Sequence, residues 1–308
     1  MAMNRGNGTS EILEKIERLK KDRNAVILAH NYQIDEVQDM ADYVGDSLGL
    51  ARQAAATDAD VIVFCGVHFM AETAAILSPE KTVILPDIKA GCPMADMVEA
   101  EDVKELRDAH PGIPVVCYVN SSAAVKAESD VCCTSSNAVE IVKGVPGEEI
   151  IFVPDQYLGA YAAKRAGKRL VPWKGFCPTH MRILPDDIVA RRREHPEARV
   201  VVHPECRAEV VELADAARST GGILDYCKKT DAAEFIIGTE VGLLHRLRLE
   251  NPGKMFYPAS EAAICPNMKR IDLEKVLWAL EDMEYVITVD PEIAARARRA
   301  IEAMVSVG

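Results

Sequence analysis

None of the nine cysteines forms a C-x-x-C pair, which excludes zinc ribbons and ferredoxin-type runs, whose thiolates come at that spacing. Positive charge is also short: 36 basic against 48 acidic residues leave a net charge of -12. No basic and aromatic side chains cluster, so a surface for phosphate backbones is not expected. Long apolar runs are missing too. Val61 to Cys65 stops at Gly66, far below the roughly 20 residues that span a bilayer. The start of the chain, Met1 to Ser10, is polar and lacks the apolar core of a secretory signal before an amphipathic stretch at Ile12, Leu13, Ile16 and Leu19. Together these absences predict a cytoplasmic protein that takes neither nucleic acid nor membrane as partner. In a reducing compartment an odd number of thiols points to metal or catalysis rather than disulfides.

What is present is an ordinary globular composition, 49% hydrophobic and 27% charged over 308 residues, enough chain for two or three compact units. Short β-branched runs alternate with helical stretches, the pattern of a parallel sheet covered by helices. The pattern is also an internal repeat. Three strand ends run into Pro and then Cys-Pro: Leu85-Pro86 reaches Cys92-Pro93, Val171-Pro172 reaches Cys177-Pro178, and Tyr257-Pro258 reaches Cys265-Pro266, with the cysteines 85 and 88 residues apart. Earlier in each copy a strand ends on polar residues: His30 and Tyr32, Tyr118 and Asn120, His203 and Glu205. Fifteen residues beyond the second of each pair stands a hydroxyl, Ser47, Ser135 or Thr220, in a chain with only 21 Ser and Thr. The repeat predicts an α/β protein of three αβα parallel-sheet units over 24–112, 113–198 and 199–284. Residues 1–23 and 285–308 are expected as a terminal helix and a strand-helix segment packing on them. Ligands collect at the carboxyl ends of parallel strands, so a pseudo-threefold arrangement brings these landmarks to one central cavity.

Proline after each of Cys92, Cys177 and Cys265 fixes its own φ and discourages helix at the cysteine. A lone free cysteine is commonly a small buried hydrophobe; three at equivalent repeat positions read instead as metal ligands. Three thiolates leave one iron of a cluster open as a Lewis acid, and a zinc ion completed by water is the alternative. Cys65, Cys117, Cys132, Cys133, Cys206 and Cys227 read as packing. Ser47, Ser135 and Thr220 open helical patterns, where free N–H groups bind carboxylate or phosphate, or where the hydroxyls simply cap. His30, Tyr32, His180, His203 and Glu205 can move protons. His203 and Glu205 share a strand face at period two, and Glu205, partly desolvated near a metal, is the candidate general base. His68, His110, His195 and His245 have no repeat equivalents and read as surface or capping residues.

The motifs Ala29-His30-Asn31-Tyr32-Gln33, Gly45-Asp46-Ser47, Tyr118-Val119-Asn120, Cys132-Cys133-Thr134-Ser135-Ser136-Asn137, His203-Pro204-Glu205-Cys206 and Cys265-Pro266-Asn267-Met268 resemble the quinolinate synthase family from about residue 24 to 270. The resemblance implies three αβα units in a triangle around a central 4Fe-4S cluster held by Cys92, Cys177 and Cys265. It implies condensation of iminoaspartate with dihydroxyacetone phosphate to quinolinate, phosphate and two waters, in NAD biosynthesis. An aspartate oxidase or dehydrogenase would be a transient partner supplying the imine. It further implies that His30, Tyr32, Ser47, Tyr118, Asn120, Ser135, His180, His203, Glu205 and Thr220 handle substrate, with Glu205, His203, Tyr32 and Tyr118 catalytic. Some members carry two extra cysteines before the last ligand; here those positions are Ala259 and Ala262, so disulfide control there is not expected. Two other functions stay open beside this one: an iron-sulfur hydro-lyase of another dicarboxylate, and a non-catalytic cluster sensor.

Overall fold

The computed structural model describes residues 5–307. Its twelve strands form three sheets. The first holds β1 (Ala25–His30), β2 (Tyr43–Gly45), β3 (Val61–Cys65) and β4 (Thr82–Ile84). The second holds β5 (Val115–Tyr118), β6 (Val131–Cys133), β7 (Glu149–Val153) and β8 (Arg169–Pro172), and the third β9 (Arg199–Val202), β10 (Ala216–Ala217), β11 (Glu234–Gly238) and β12 (Met255–Pro258). Strand order is the same in all three, β2-β1-β3-β4, β6-β5-β7-β8 and β10-β9-β11-β12, and every named pair is parallel. The repeated α/β units expected from the sequence are present. Central strands such as Val61–Cys65 and Ile150–Val153 are buried throughout, as continuous β-branched runs between two helical layers must be. Burying each such Ile, Val or Phe contributes about 1.5–3 kcal/mol.

One device sets the register in each sheet. Asp42, Asp130 and Asp215 stand just before the second strand of their sheets. Each N–H donates to a carbonyl of the first strand, Ile27, Val115 or Val200 (3.0, 3.1 and 2.8 Å). Each Oδ2 takes back the N–H of that same residue, at 2.8, 2.7 and 2.8 Å. A cation sits on each Oδ1: Lys20 at 2.7 Å, Arg107 at 2.8 Å and Arg199 at 3.1 Å.

The chain forms two compact units, one of Met1–Cys92 with Pro266–Asp290, the other of Pro93–Cys265 with Pro291–Gly308. The division follows from a hand-over of helices. The helix after Cys92, Ala100–Ala109, packs in the second unit beside the helix Ala123–Ala127 of the second sheet. The helix after Cys177, Pro185–Glu194, packs on the third sheet, where Ile183 and Ile188 join Val200, Val202 and Ile236 in one core. The helix after Cys265, Leu273–Asp282, packs in the first unit on β3 and on the helix Arg5–Asp22. The terminal helix Pro291–Val305 packs on β6. The strand expected near residue 285 shrinks to an antiparallel bridge from Val286 to Ile84. Among the described residues no helix is long and apolar enough to cross a membrane.

The three cysteine loops are also built alike. The N–H of His68, Gln156 or Val241, just past the middle strand, donates to the carbonyl two residues before the cysteine, Ala90, Gly175 or Ala263 (2.8, 2.9 and 3.0 Å). A 3-10 turn then begins three residues after each cysteine, at Ala95, His180 and Met268, as a Cys-Pro step that resists helix requires.

Candidate active site

In the second unit β5 delivers Tyr118, and the turn after β9 delivers His203 and Glu205. Strand β9 ends at Val202, and Cys206 N–H closes a turn onto the His203 carbonyl at 3.0 Å. His203 and Glu205 therefore do not share a strand face. They meet because His203 Nδ1 accepts the Glu205 N–H at 3.3 Å. That bond leaves the ring proton on Nε2, which lies 3.0 Å from Ser135 Oγ and donates to it.

Glu205 is the hub. Its Oε1 accepts the Tyr118 hydroxyl. Its Oε2 lies 2.7 Å from His180 Nδ1 and 3.8 Å from His203 Nδ1. His180 stacks on His203 with ring centroids 4.7 Å apart, and its Nε2 is 2.9 Å from Thr239 Oγ1. All four side chains are buried. Burial pushes the Glu205 carboxyl up, but the electrostatic pull of the His203 and His180 rings and the hydrogen bonds from His180 and Tyr118 outweigh it and hold the group below the usual carboxylate range. Glu205 is thus an anion gripped by donors. Behind it, Asp155 shows the opposite behaviour. Burial and the charge of Glu205 push its carboxyl well up, against the N–H groups of Leu158, Tyr157 and Cys177.

Cys177 reaches this network. Its Sγ, a ring nitrogen of His180 and a carboxylate oxygen of Glu205 all lie within 4.8 Å of one another, a donor set suited to a metal. Cys92, Cys177 and Cys265 are partly exposed, whereas the other six cysteines are buried. Burial pushes the Cys227 thiol up to about 12 and those of Cys65 and Cys206 higher still. Three accessible thiols on three equally built loops fit a metal group; the six buried ones pack, as expected.

The hydroxyls divide. Ser47 and Thr220 are first residues of the helices Ser47–Ala56 and Thr220–Lys229, but the caps are Asp46 on Gly49 N–H at 2.9 Å and Ser219 on Gly222 N–H at 3.1 Å. Capping is therefore not their role. Ser135 does not open a helix: it lies in the turn before Ala138–Gly144, whose N-cap is Asn137, and its neighbour Ser136 donates to Ser219 at 2.8 Å, joining this turn to the segment that leads into Thr220. Asn120 Oδ1 is buried without a protein partner, an acceptor suited to a ligand donor. In the first unit His30 Nδ1 accepts the Tyr32 N–H at 3.2 Å, the same geometry as His203 and Glu205, and the two rings meet edge to face at 4.6 Å.

Sequence reasoning missed Thr239, and also Asp155 and Glu240, which stand at equivalent points two residues past the middle strands. It also treated His110 and His195 as unrelated. They lie 85 residues apart and both close the helix after a cysteine loop as its C-cap.

The comparisons with known proteins agree with one another. The family described as quinolinate synthetase A protein matches residues 14–306. Proteins named quinolinate synthase from Dehalococcoides mccartyi and Geobacter metallireducens are each 57% identical over 296 residues, covering 96% of this chain and 98% and 97% of their own lengths. One from Methanosarcina barkeri is 55% identical over 298 residues, covering 97% of this chain and 98% of its own.

Proposed function

Because the chain belongs to the quinolinate synthetase A family, we propose that it condenses iminoaspartate with dihydroxyacetone phosphate to quinolinate, phosphate and two waters, in the cytoplasm and in the service of NAD biosynthesis. The observation that carries the reading is the buried carboxylate of Glu205, held by Tyr118, His180 and His203 within reach of the Cys177 thiol.

A 4Fe-4S cluster would be held by Cys92, Cys177 and Cys265, and when bound it supplies an open iron as a Lewis acid for loss of water. The chain's own residues supply the proton handling. Glu205 starts as an anion, so it accepts a proton only once a substrate hydroxyl replaces the Tyr118 donor and loosens the grip that depresses it. His180 and His203 pass that proton on, His203 through its Nε2–H toward Ser135. Tyr32 and His30 assist transfer in the first unit. Ser47 and Thr220, the first residues of the helices Ser47–Ala56 and Thr220–Lys229, hold carboxylate or phosphate together with Ser135, and Asn120 Oδ1 accepts a hydrogen bond from substrate. An aspartate oxidase or dehydrogenase would supply the imine.

Anaerobic purification, iron and sulfide assay, and quinolinate formation from oxaloacetate, ammonia and the triose phosphate test the reading. Glu205→Gln is expected to keep the cluster absorbance and lose about 100-fold or more of turnover; a fully active variant refutes the role given to Glu205. The Cys177, His180 and Glu205 donor set also suits a single zinc ion, and iron with matching sulfide decides against that second reading.

A further inference from the structure

The side chains two residues past the middle strands separate the three repeats. In the second repeat the residue is Asp155, in the third Glu240, in the first Val67, and both acids are fully buried. Each acid does two things. It takes backbone N–H groups where the next helix begins: Asp155 Oδ1 accepts from Tyr157 N–H at 2.9 Å and Leu158 N–H at 2.8 Å, and Glu240 Oε2 accepts from Gly242 N–H at 2.7 Å. It also turns toward the cysteine loop. Glu240 Oε1 accepts the Cys265 N–H at 3.1 Å, and the Cys177 N–H interacts with the Asp155 carboxyl. The second contact is the weaker, since Asp155 Oδ2 has no well-formed hydrogen bond. At the first repeat Val67 offers no side-chain acceptor to its helix.

We infer that Glu240, and more weakly Asp155, are positioning residues for the ligand cysteines: their carboxyl oxygens lock the cysteine loop to the helix start and keep the cysteine amide from turning toward sulfur. This rests on the reading of Cys177 and Cys265 as cluster ligands. The lock has two separate consequences. A loop held by a buried hydrogen bond resists the opening that lets a metal leave. An amide held by a carboxyl oxygen cannot donate to cluster sulfur, and such N–H bonds to sulfur tune a cluster's reduction potential upward as they stabilise added negative charge.

The test uses the full chain, reconstituted anaerobically as wild type, Glu240→Gln and Asp155→Asn, with iron and sulfide counted before each measurement. Glu240→Gln has one oxygen for two N–H donors, so it is expected to load a cluster but release iron to a chelator about tenfold faster or more. Its reduction equilibrium is expected to shift toward the reduced cluster by about tenfold, 59 mV for one electron. Asp155→Asn shifts both in the same direction by less. Should Glu240→Gln fail to fold, Glu240→Asp, which can reach Gly242 N–H but is one methylene short of also reaching Cys265, carries the same two expectations. Wild-type release rates and potentials in the loaded variants overturn the inference while leaving the cluster reading intact. A wild-type chain that takes up no iron and sulfide overturns the cluster reading, and this inference with it.

Discussion

Replacing Asp215 by alanine tests the device that sets sheet register. The substitution removes the 2.8 Å hydrogen bond from Val200 N–H and two ion pairs, to Arg192 and Arg199, both at 3.1 Å. A hydrogen bond to a charged acceptor contributes about 1.5–3 kcal/mol. Both arginines are about half exposed, so screening limits each pair to about 0–1 kcal/mol. The sum is about 1.5–5 kcal/mol, or about 3–20 °C in melting temperature for a unit of this size. Asp215→Asn keeps an oxygen for Val200 and should lose about 1 kcal/mol. Burial pushes the Asp215 carboxyl up, but the Val200 and Arg199 hydrogen bonds and the charges of Arg192 and Arg199 bring it below the usual carboxylate range. A depressed folded pKa means the stabilisation is complete above the unfolded value of about 3.9 and disappears as pH falls through the folded value. The gap between wild type and Asp215→Asn should therefore close below about pH 4. Thermal melting at pH 7 and pH 3 reads both effects, with Asp130→Ala as the replicate on another sheet. If Asp215→Ala melts within about 1 °C of wild type, the brace does not hold the strands and the explanation of register is wrong.

Two further outcomes are expected. A Cβ at Gly175 collides with the Pro154 carbonyl oxygen, so Gly175→Ala must push the Cys177 loop off the strand end; overpacking of this kind costs about 1–3 kcal/mol, measured by melting of the metal-free chain. Removing the Tyr118 hydroxyl in Tyr118→Phe takes a donor from Glu205 and should move the acid limb of the kcat/KM profile to higher pH, since a carboxylate that loses a stabilising donor titrates higher; an unmoved limb counts against Glu205 as the titrating group.

The parts of this molecule legible in its sequence are those written three times. Cys92, Cys177 and Cys265 could be read as one position because the strand, Pro and Cys-Pro order repeats around them, and the sheets follow the same β-branched runs. The aspartate brace was equally available, since residues 27, 115 and 200 each precede an aspartate by fifteen. It went unseen because an acid before a strand looks like any turn residue until its N–H partner is known. Asp155 and Glu240 were hidden for a different reason: Val67 breaks the repeat at that point, so only the hydrogen bonds reveal the two acids as a pair. The meeting of His203 with Glu205 was anticipated through strand alternation, whereas a backbone N–H to ring nitrogen bond in a turn produces it.

The hand-over of helices has a consequence for a chain still being made. The first sheet leaves the ribosome well before the helix Leu273–Asp282 that covers β3. Until it arrives, an apolar face must wait uncovered while the intervening chain is made, the state in which nascent chains aggregate or recruit chaperones. A release of translation anywhere before that helix yields a product with an open sheet, so incomplete copies are marked for removal by the fold itself.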